Sequence, residues 1–184
     1  MQDKIILGFL MIRRMTAYEL KKAMEKSTSF FYNTSMGSIH PALKKLEKNG
    51  FVISEVTLEK GRGKKIYEAT DAGRASFVSW IGEDIEPSKL KNESVLRMFF
   101  FHHLPDEVQK GILERYLEKV HAQEQALQVI LDGYDESAHE GDVKRIAEQQ
   151  LWTVRYGIAH HQFLQNWFSD YLRQLGTDGP EEEQ

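Results

Sequence analysis

The chain has 184 residues, 41% of them hydrophobic and 28% charged, with no cysteine and a formal net charge of −4. That length admits one domain or two small ones, and the apolar share is enough for a real core, which excludes global disorder. The missing cysteines exclude disulfides, thiolate metal sites and cysteine nucleophiles, and fit a cytoplasmic protein.

No apolar run approaches the roughly 18 residues of a membrane helix, so no membrane partner is expected. "IILGFLMI" (5–12) is too short for one and has no cleavage-type small residues after it, so it does not read as a signal peptide. The charge is uneven. Residues 1–85 hold 14 Lys/Arg against 10 Asp/Glu, and residues 86–184 hold 10 against 18. A basic half joined to an acidic half suggests a polyanion at one of them, although on charge alone an uneven solvated surface is the plainer account.

In chain order, "DKIILGFLMIRR" (3–14) is a helix with apolar residues on most faces and is expected to be well buried. "TAYELKKAMEKS" (16–27) follows, with Thr16 as N-cap and Glu19 at capping-box spacing, and Tyr18, Leu20, Ala23 and Met24 as its apolar face. "FFYNT" (30–34) is a connector, and a third helix starts at Thr34 or Ser35. Its back half places Ala42, Leu43, Leu46 and Phe51 toward a core and Lys44, Lys45, Glu47 and Lys48 outside. Its front half offers Ser35, Gly37, Ser38 and His40, which do little for a core. Pro41 predicts irregular first turns.

Gly50 ends that helix as the residue just past its cap. "FVISEVTLE" (51–59) and "KKIYEAT" (64–70) are two strands, the first alternating Phe51, Ile53 and Val56 imperfectly with polar positions, around a basic tip "KGRGKK" (60–65). "TDAGRASFVSWIGED" (70–84) is a fourth helix, and the acidic "EDIEPSK" (83–89) marks a domain boundary.

The second half is helical. "KNESVLRMFFFHHL" (91–104) is a short apolar helix, and a longer one begins at Pro105. There Leu113, Tyr116, Val120, Leu127, Ile130 and Tyr134 fall on a 3-4 spacing broken only by Gln123, like a coiled-coil seam, and are expected at a dimer interface. The last helix runs to about Leu175. Its apolar set of Leu151, Val154, Ile158, Phe168, Leu172 and Leu175 is joined at the sides by Trp152, Tyr156, Phe163, Leu164, Trp167 and Tyr171. Faces this wide exceed what one antiparallel helix pair hides, so a partner chain is expected.

Three helices, a hairpin and a basic tip make the winged helix-turn-helix order. The chain therefore reads as mostly α, with a winged-helix DNA-binding domain over 1–84, an all-helical dimerisation domain over 88–178 and a disordered tail over 179–184. The third helix is the recognition helix. Ser35, Ser38 and His40 would let its start approach double-stranded DNA, Lys44 and Lys45 would meet phosphates, and Arg62, Lys64 and Lys65 would reach a strand from the wing. A small α/β module whose serines are mere caps is the plainer alternative. A winged-helix protein-interaction module that never touches DNA is the competing class.

"ILGFLMIRRMTAYELKKAM", "SMGSIHPALKKLEKNGFVI" and "GRGKKIYEATDAGRASFVSWI" resemble, in order and spacing, the N-terminal domain of PadR-type transcriptional regulators. The family's Tyr-Glu-Leu helix, its Pro-Ala-Leu-x-x-Leu-Glu-x-x-Gly recognition helix and its Tyr-x-x-Thr-x-x-Gly after the wing fall on Tyr18–Leu20, Pro41–Gly50 and Tyr67–Gly73. The joint, the "VLRMFFF" segment and the long helices resemble the larger subgroup's C-terminal dimerisation domain. The resemblance implies a homodimeric repressor released by a small, flat aromatic effector, and adds Tyr18 to the DNA-facing set. One departure stands out: the family usually has tyrosine before that proline, whereas this chain has His40.

Enzyme readings lack a constellation. His102–His103 and His160–His161 are adjacent pairs that diverge by ~100° on a helix, so neither forms a metal face, and no metal or cofactor is expected. The glycines of "GRGKK" sit in a hairpin and not before a helix, so no nucleotide site is read there. On the last helix Trp152, Tyr156 and Phe163, with Arg155 for a carboxylate, form the candidate effector site. Packing as dimer core is the preferred reading of the same residues.

Overall fold

The computed structural model describes residues 1–29, 32, 36–59, 62–87 and 92–175. They form two compact units, Met1–Ser88 and Lys89–Gln184. The first contains α1 (Gln2–Ile12), β1 (Met15–Thr16), α2 (Ala17–Ser27), α3 (Met36–Lys48), β2 (Val52–Glu59), β3 (Arg62–Ala69) and α4 (Asp71–Ile81). The second contains α5 (Glu93–Phe99), α6 (Asp106–Asp132) and α7 (Gly141–Leu175), with short 3-10 turns at Phe101–His103 and Glu136–Ala138.

The first unit is built on one core. Ile6, Leu7 and Leu10 of α1, Leu20 and Met24 of α2, and Ile39, Leu43 and Leu46 of α3 close over Val52, Tyr67 and Ala69 of the sheet. Leu20 and Met24 carry α2's inward face, whereas Tyr18, expected there, is 62% exposed. The capping box at α2 is formed: the Thr16 hydroxyl accepts from the Glu19 N–H at 3.2 Å, and the Thr16 N–H donates to Glu19 Oε2 at 2.8 Å. Those bonds to Thr16 hold the Glu19 carboxyl below its ordinary range.

α3 is regular from Met36, which corrects the expectation of irregular first turns. The carbonyl deprived of a partner by Pro41 is that of Gly37 four residues earlier, which has no side chain and is exposed, so water can satisfy it. The helix ends in a Schellman pattern. Gly50 has φ +70°, its N–H donates to the Glu47 carbonyl at 3.0 Å, and the Phe51 N–H donates to the Leu46 carbonyl at 3.0 Å.

The sheet has three strands in the order β1-β3-β2, all antiparallel, and not the two expected. Met15 and Thr16 pair with Tyr67 and Ile66, too short a strand to show a period in sequence. The inward side of β2 is Val52, opposite Ala69, while Ile53 and Val56 are exposed. Three residues apart, the two fall on opposite faces: Val56 shares the side of Val52 but is exposed, and Ile53 stands on the outer face, where Arg14 pairs with Glu55 and with Glu68.

Thr70 joins three elements. Its N–H donates to the Phe51 carbonyl at 3.1 Å, its hydroxyl donates to the Gly50 carbonyl at 2.7 Å, and that hydroxyl accepts from the Gly73 N–H at 3.1 Å, capping α4. Gly73 is then pressed onto Phe51. A Cβ there would lie 2.0 Å from the Phe51 carbonyl oxygen. From α4, Phe77 lies against Gly8 of α1, and the Lys4 ammonium donates to the Ser76 carbonyl at 3.2 Å.

In the second unit, α6 and α7 form an antiparallel pair. Leu113, Val120, Leu164 and Phe168 are buried between them, and Tyr116 meets Phe168 edge-on at 4.9 Å. Three residues of the expected dimer seam are thus buried within the single chain. Leu113, Val120 and Leu127 are 2%, 3% and 4% exposed within the single chain, Tyr116 and Tyr134 are half-buried, and Ile130 is exposed. The regular spacing is satisfied by the chain's own α7. Gln123, which interrupts the pattern, places Oε1 3.1 Å from His161 Nε2 across the pair. The "FFYNT" connector apart from Tyr32, Ser35, residues 60–61 and the tail all lie outside the described residues.

Gly73→Ala is expected to destabilise the full chain by about 2–4 kcal/mol, because the contact is backbone and α4 must move as a whole. Gly8→Ala meets only the Phe77 ring at 3.0 Å, which can swing aside, so a smaller loss is expected. Urea unfolding of both variants checks this, and equal midpoints would contradict it. Thr16→Ala should cost about 1 kcal/mol at neutral pH. Because the folded-state pKa of Glu19 is depressed, the contribution of its bonds is present above the unfolded-state pKa and is lost as pH falls through the folded one. The gap between Thr16→Ala and the parent should therefore narrow in acid, as paired titrations of stability would show.

Candidate nucleic-acid interface

α3 turns one stripe to solvent: Gly37, His40, Pro41, Lys44 and Lys48 are exposed, while Ile39, Leu43 and Leu46 anchor the opposite side. Ser38 is half-buried at the margin. The first turn holds no acidic residue that would offset the positive end of the helix dipole. Lys44 and Lys48 make no ion pair among the described residues. Lys48 was not among the expected contacts, although its i,i+4 spacing from Lys44 was a readable signal.

The other cations are more engaged. Lys45 reaches Asp3 at 3.4 Å. Lys65 is tied to α3: its ammonium lies 3.0 Å from Glu47 Oε1 and 5.0 Å from the Tyr67 ring centroid. The Ser54 hydroxyl donates to the same carboxylate at 2.5 Å, and this bond, followed by Lys65, holds Glu47 below the usual carboxylate range. Glu47 in turn raises the Lys65 ammonium above its ordinary value. Lys65 therefore braces the wing against α3 and offers less free charge than its position suggests. Lys64 is half-buried on β3. Arg62 opens β3, its side chain outside the described residues, as is all of Ser35. On α2, Tyr18 stands exposed with the Lys22 ammonium 5.8 Å from its ring centroid, a cation that sequence reasoning also passed over.

In the second unit the expected effector residues stand on the outer side of α7. Trp152, Tyr156 and Phe163 are 63%, 65% and 59% exposed, and Trp167 continues the stripe. Arg155 lies over the Trp152 ring at 5.0 Å, so its guanidinium already has an aromatic neighbour. A cavity of about 460 Å³ lies elsewhere, between α5 and α6. Among the described residues no group of three or more His, Asp or Glu is placed to hold a metal ion, and no helix is long and apolar enough to cross a membrane.

Residues 6–79 match the transcriptional regulator PadR-like family, and residues 90–176 match the family described as virulence activator alpha C-term. The probable transcriptional regulator Rv1176c of Mycobacterium tuberculosis is 32% identical over 92 residues, which are 50% of this chain and 49% of that protein. The chain thus matches about half the length of that relative. The negative transcriptional regulator PadR of Bacillus subtilis is 27% identical over 125 residues, covering 67% of this chain and 69% of its own. The fold is shared with the crystal structure of Bacillus subtilis PadR in complex with operator DNA, at a TM-score of 0.81 and 20% identity, over 94% of this chain and 98% of that one. A second structure of that protein, in complex with p-coumaric acid, superposes with a TM-score of 0.75 at 20% identity over 95% and 98% of the two chains. With the two family matches falling one on each compact unit, the winged-helix chain described here belongs to the PadR-like family of transcriptional regulators.

Proposed function

We propose that the chain is a homodimeric, sequence-specific DNA-binding repressor released by a small aromatic effector. The observation that carries this reading is the outward stripe of α3, with short groups at its start, no acidic residue in its first turn, and Lys44 one turn further on without an ion pair among the described residues. Family membership and the operator-bound structure of the Bacillus relative support the same placement. In this reading Ser38 and His40 approach base edges in the major groove, and Ser35 joins them at the helix start. Lys44, Lys45 and Lys48 meet phosphates beside them. Tyr18 reaches the backbone from α2. Arg62 and Lys64 approach from the wing, which Lys65 braces through Glu47. His40 can donate where a phenol would, but from a shorter side chain, so the contact there falls nearer the helix axis.

One head covers a single half-site, so a second copy is needed to read successive major grooves roughly 34–36 Å apart. The surface best suited to bring it is the α7 stripe of Trp152, Tyr156, Phe163 and Trp167, spaced as one helical face and left uncovered by α6. The stripe repeats the aromatic enrichment of interface cores, and a two-fold axis across it would lay each copy's rings against the other's.

Binding to a palindromic operator should weaken steeply with salt. Lys44→Ala should reduce the log–log slope by about 0.9 per head while leaving the preferred sequence intact. His40→Ala should change the preferred sequence instead. Selection from a random DNA pool, repeated at two salt concentrations, separates the two effects. Affinity indifferent to both salt and sequence would leave the protein-interaction module as the better account. For assembly, Trp152→Lys combined with Phe163→Lys should yield monomers with unchanged helix content, read by sedimentation and circular dichroism. A variant that stays dimeric would exclude this face.

A further inference from the structure

We infer that His40 makes DNA binding proton-linked, its charged imidazolium holding DNA more tightly than the neutral ring, an inference that rests on the proposal above that α3 enters the major groove. The sequence isolates the group. The chain has seven histidines, and His40 is the only one before residue 102. Imidazole is the side chain whose ordinary titration falls between about pH 5 and pH 8. By side-chain type, the first unit therefore changes charge near neutrality at one place, and that place is the outward stripe of α3.

His40 is exposed, with Gly37 one turn before it and Lys44 one turn after. It makes no hydrogen bond, ion pair or ring contact among the described residues. The carboxylates described on α3 and on the elements packed against it, α1, α2 and β2, are all engaged elsewhere. On α3, Glu47 is held by Ser54 and Lys65. On α1, Asp3 is held by Lys45 and by the N-terminal amine at 3.2 Å. On α2, Glu19 is bound by Thr16 and Arg13, and Glu25 by Lys21 and Lys22. On β2, Glu55 pairs with Arg14. The remaining titratable groups of these elements do not attract a charged ring: Lys4 is turned to Ser76, Lys26 and Lys48 are cations, and Tyr18 is a phenol. The nearest charge along the helix, Lys44, is a like one. The free protein thus gives an imidazolium at position 40 nothing to pair with.

A duplex supplies the missing partner. Phosphates line both sides of the major groove, and the base edges add acceptors, above all N7 and O6 of guanine. The imidazolium brings two N–H donors and a charge, whereas the neutral ring has one donor and one acceptor. A charge-assisted hydrogen bond is about twice as strong as a neutral one. DNA therefore stabilises the protonated ring where the free protein does not, and binding takes up a proton. By reciprocity, protonation strengthens binding by the same factor. The sign follows: affinity rises as pH falls through the imidazole range and is lost as pH climbs back. An amide or a phenol at this position stays neutral over that range and a lysine stays charged, so neither kind would give the linkage.

The test measures the affinity of the full-length protein, at fixed ionic strength and between about pH 6 and pH 8, for a duplex that the protein itself selects from a random pool. Parent affinity should rise at least about fivefold from the upper to the lower pH. His40→Gln, neutral throughout, and His40→Lys, charged throughout, should each give a flat profile. The lysine variant decides the matter where the glutamine variant binds too weakly to titrate. His139→Gln, in the second unit, should keep the profile of the parent. The N-terminal amine also titrates in this range, but it is common to every variant and cancels in the comparison. A His40 variant as steep as the parent overturns the inference. Parent binding that depends on salt but not on pH overturns it alone, whereas the absence of salt-dependent binding at either pH takes the DNA-binding proposal down with it.

Discussion

The hydroxyl of Thr70 is the point on which the arrangement of α3, hairpin and α4 depends. It donates to Gly50 and accepts from Gly73, while its own N–H reaches Phe51, so the end of α3, the two ends of the hairpin and the start of α4 meet within a few ångströms. Each bond alone is worth about 1 kcal/mol, but together they set the angle at which the hairpin leaves α3. The bare backbone of Gly73 is part of the same arrangement, since α4 could not sit so close over Phe51 with a side chain in the way. Tyr67, buried three residues before Thr70, holds β3 to the core on the near side. The Tyr-x-x-Thr-x-x-Gly pattern is therefore structural.

A second, charged connection works on top of the first. Glu47 on α3 is held by Ser54 of β2 and Lys65 of β3, so helix and wing share one carboxylate. An exposed ion pair of this kind contributes little to stability. Its effect is directional: it ties one wing cation to α3, on which Lys44 and Lys48 make no ion pair among the described residues. The basic balance of the first half therefore overstates the charge available to a polyanion. Position on the helix, more than the count of cations, decides which ones face outward.

Local bonding rules were legible where a short motif carries its own partners. Thr16 with Glu19 and Gly50 as the helix terminator are each fulfilled within a few residues, so no tertiary knowledge was needed. Reading failed where the partner lay far away in the chain. β1 exists only because β3 runs beside it. Ile53 and Val56, three residues apart, point to opposite faces of the strand, and the identity of the buried face is settled by Val52 meeting the core. Pro41 was overweighted because the exposure of the Gly37 carbonyl is a property of the folded surface. For the candidate site, the outward residues of α3 followed from periodicity. The engagement of Lys65 by Glu47 did not, because it depends on a pairing across elements.

The heptad-like spacing of α6 shows why periodicity alone cannot distinguish an intrachain partner from an interchain one. Leu113, Val120 and Leu127 ask only for a complementary helix, and α7 supplies it with Leu164 and Phe168. The interruption at Gln123 is informative in retrospect. A polar residue in a seam requires a polar partner, and His161 on α7 of the same chain meets it, while Glu124 beside it accepts from Gln162 at 2.8 Å and from Gln165 at 2.5 Å. These bonds cross the pair, with His161 buried and Gln123 exposed at its margin. Once α6 is occupied in this way, the aromatic surplus of the last helix has no intrachain place to go. Trp152, Tyr156 and Phe163 are left outside because the side of α7 that faces α6 is already filled by Leu151, Val154, Ile158 and His161. The width of the apolar face, the original reason to expect a partner chain, therefore still argues for one, on the opposite side of α7 from the seam that the heptads suggested.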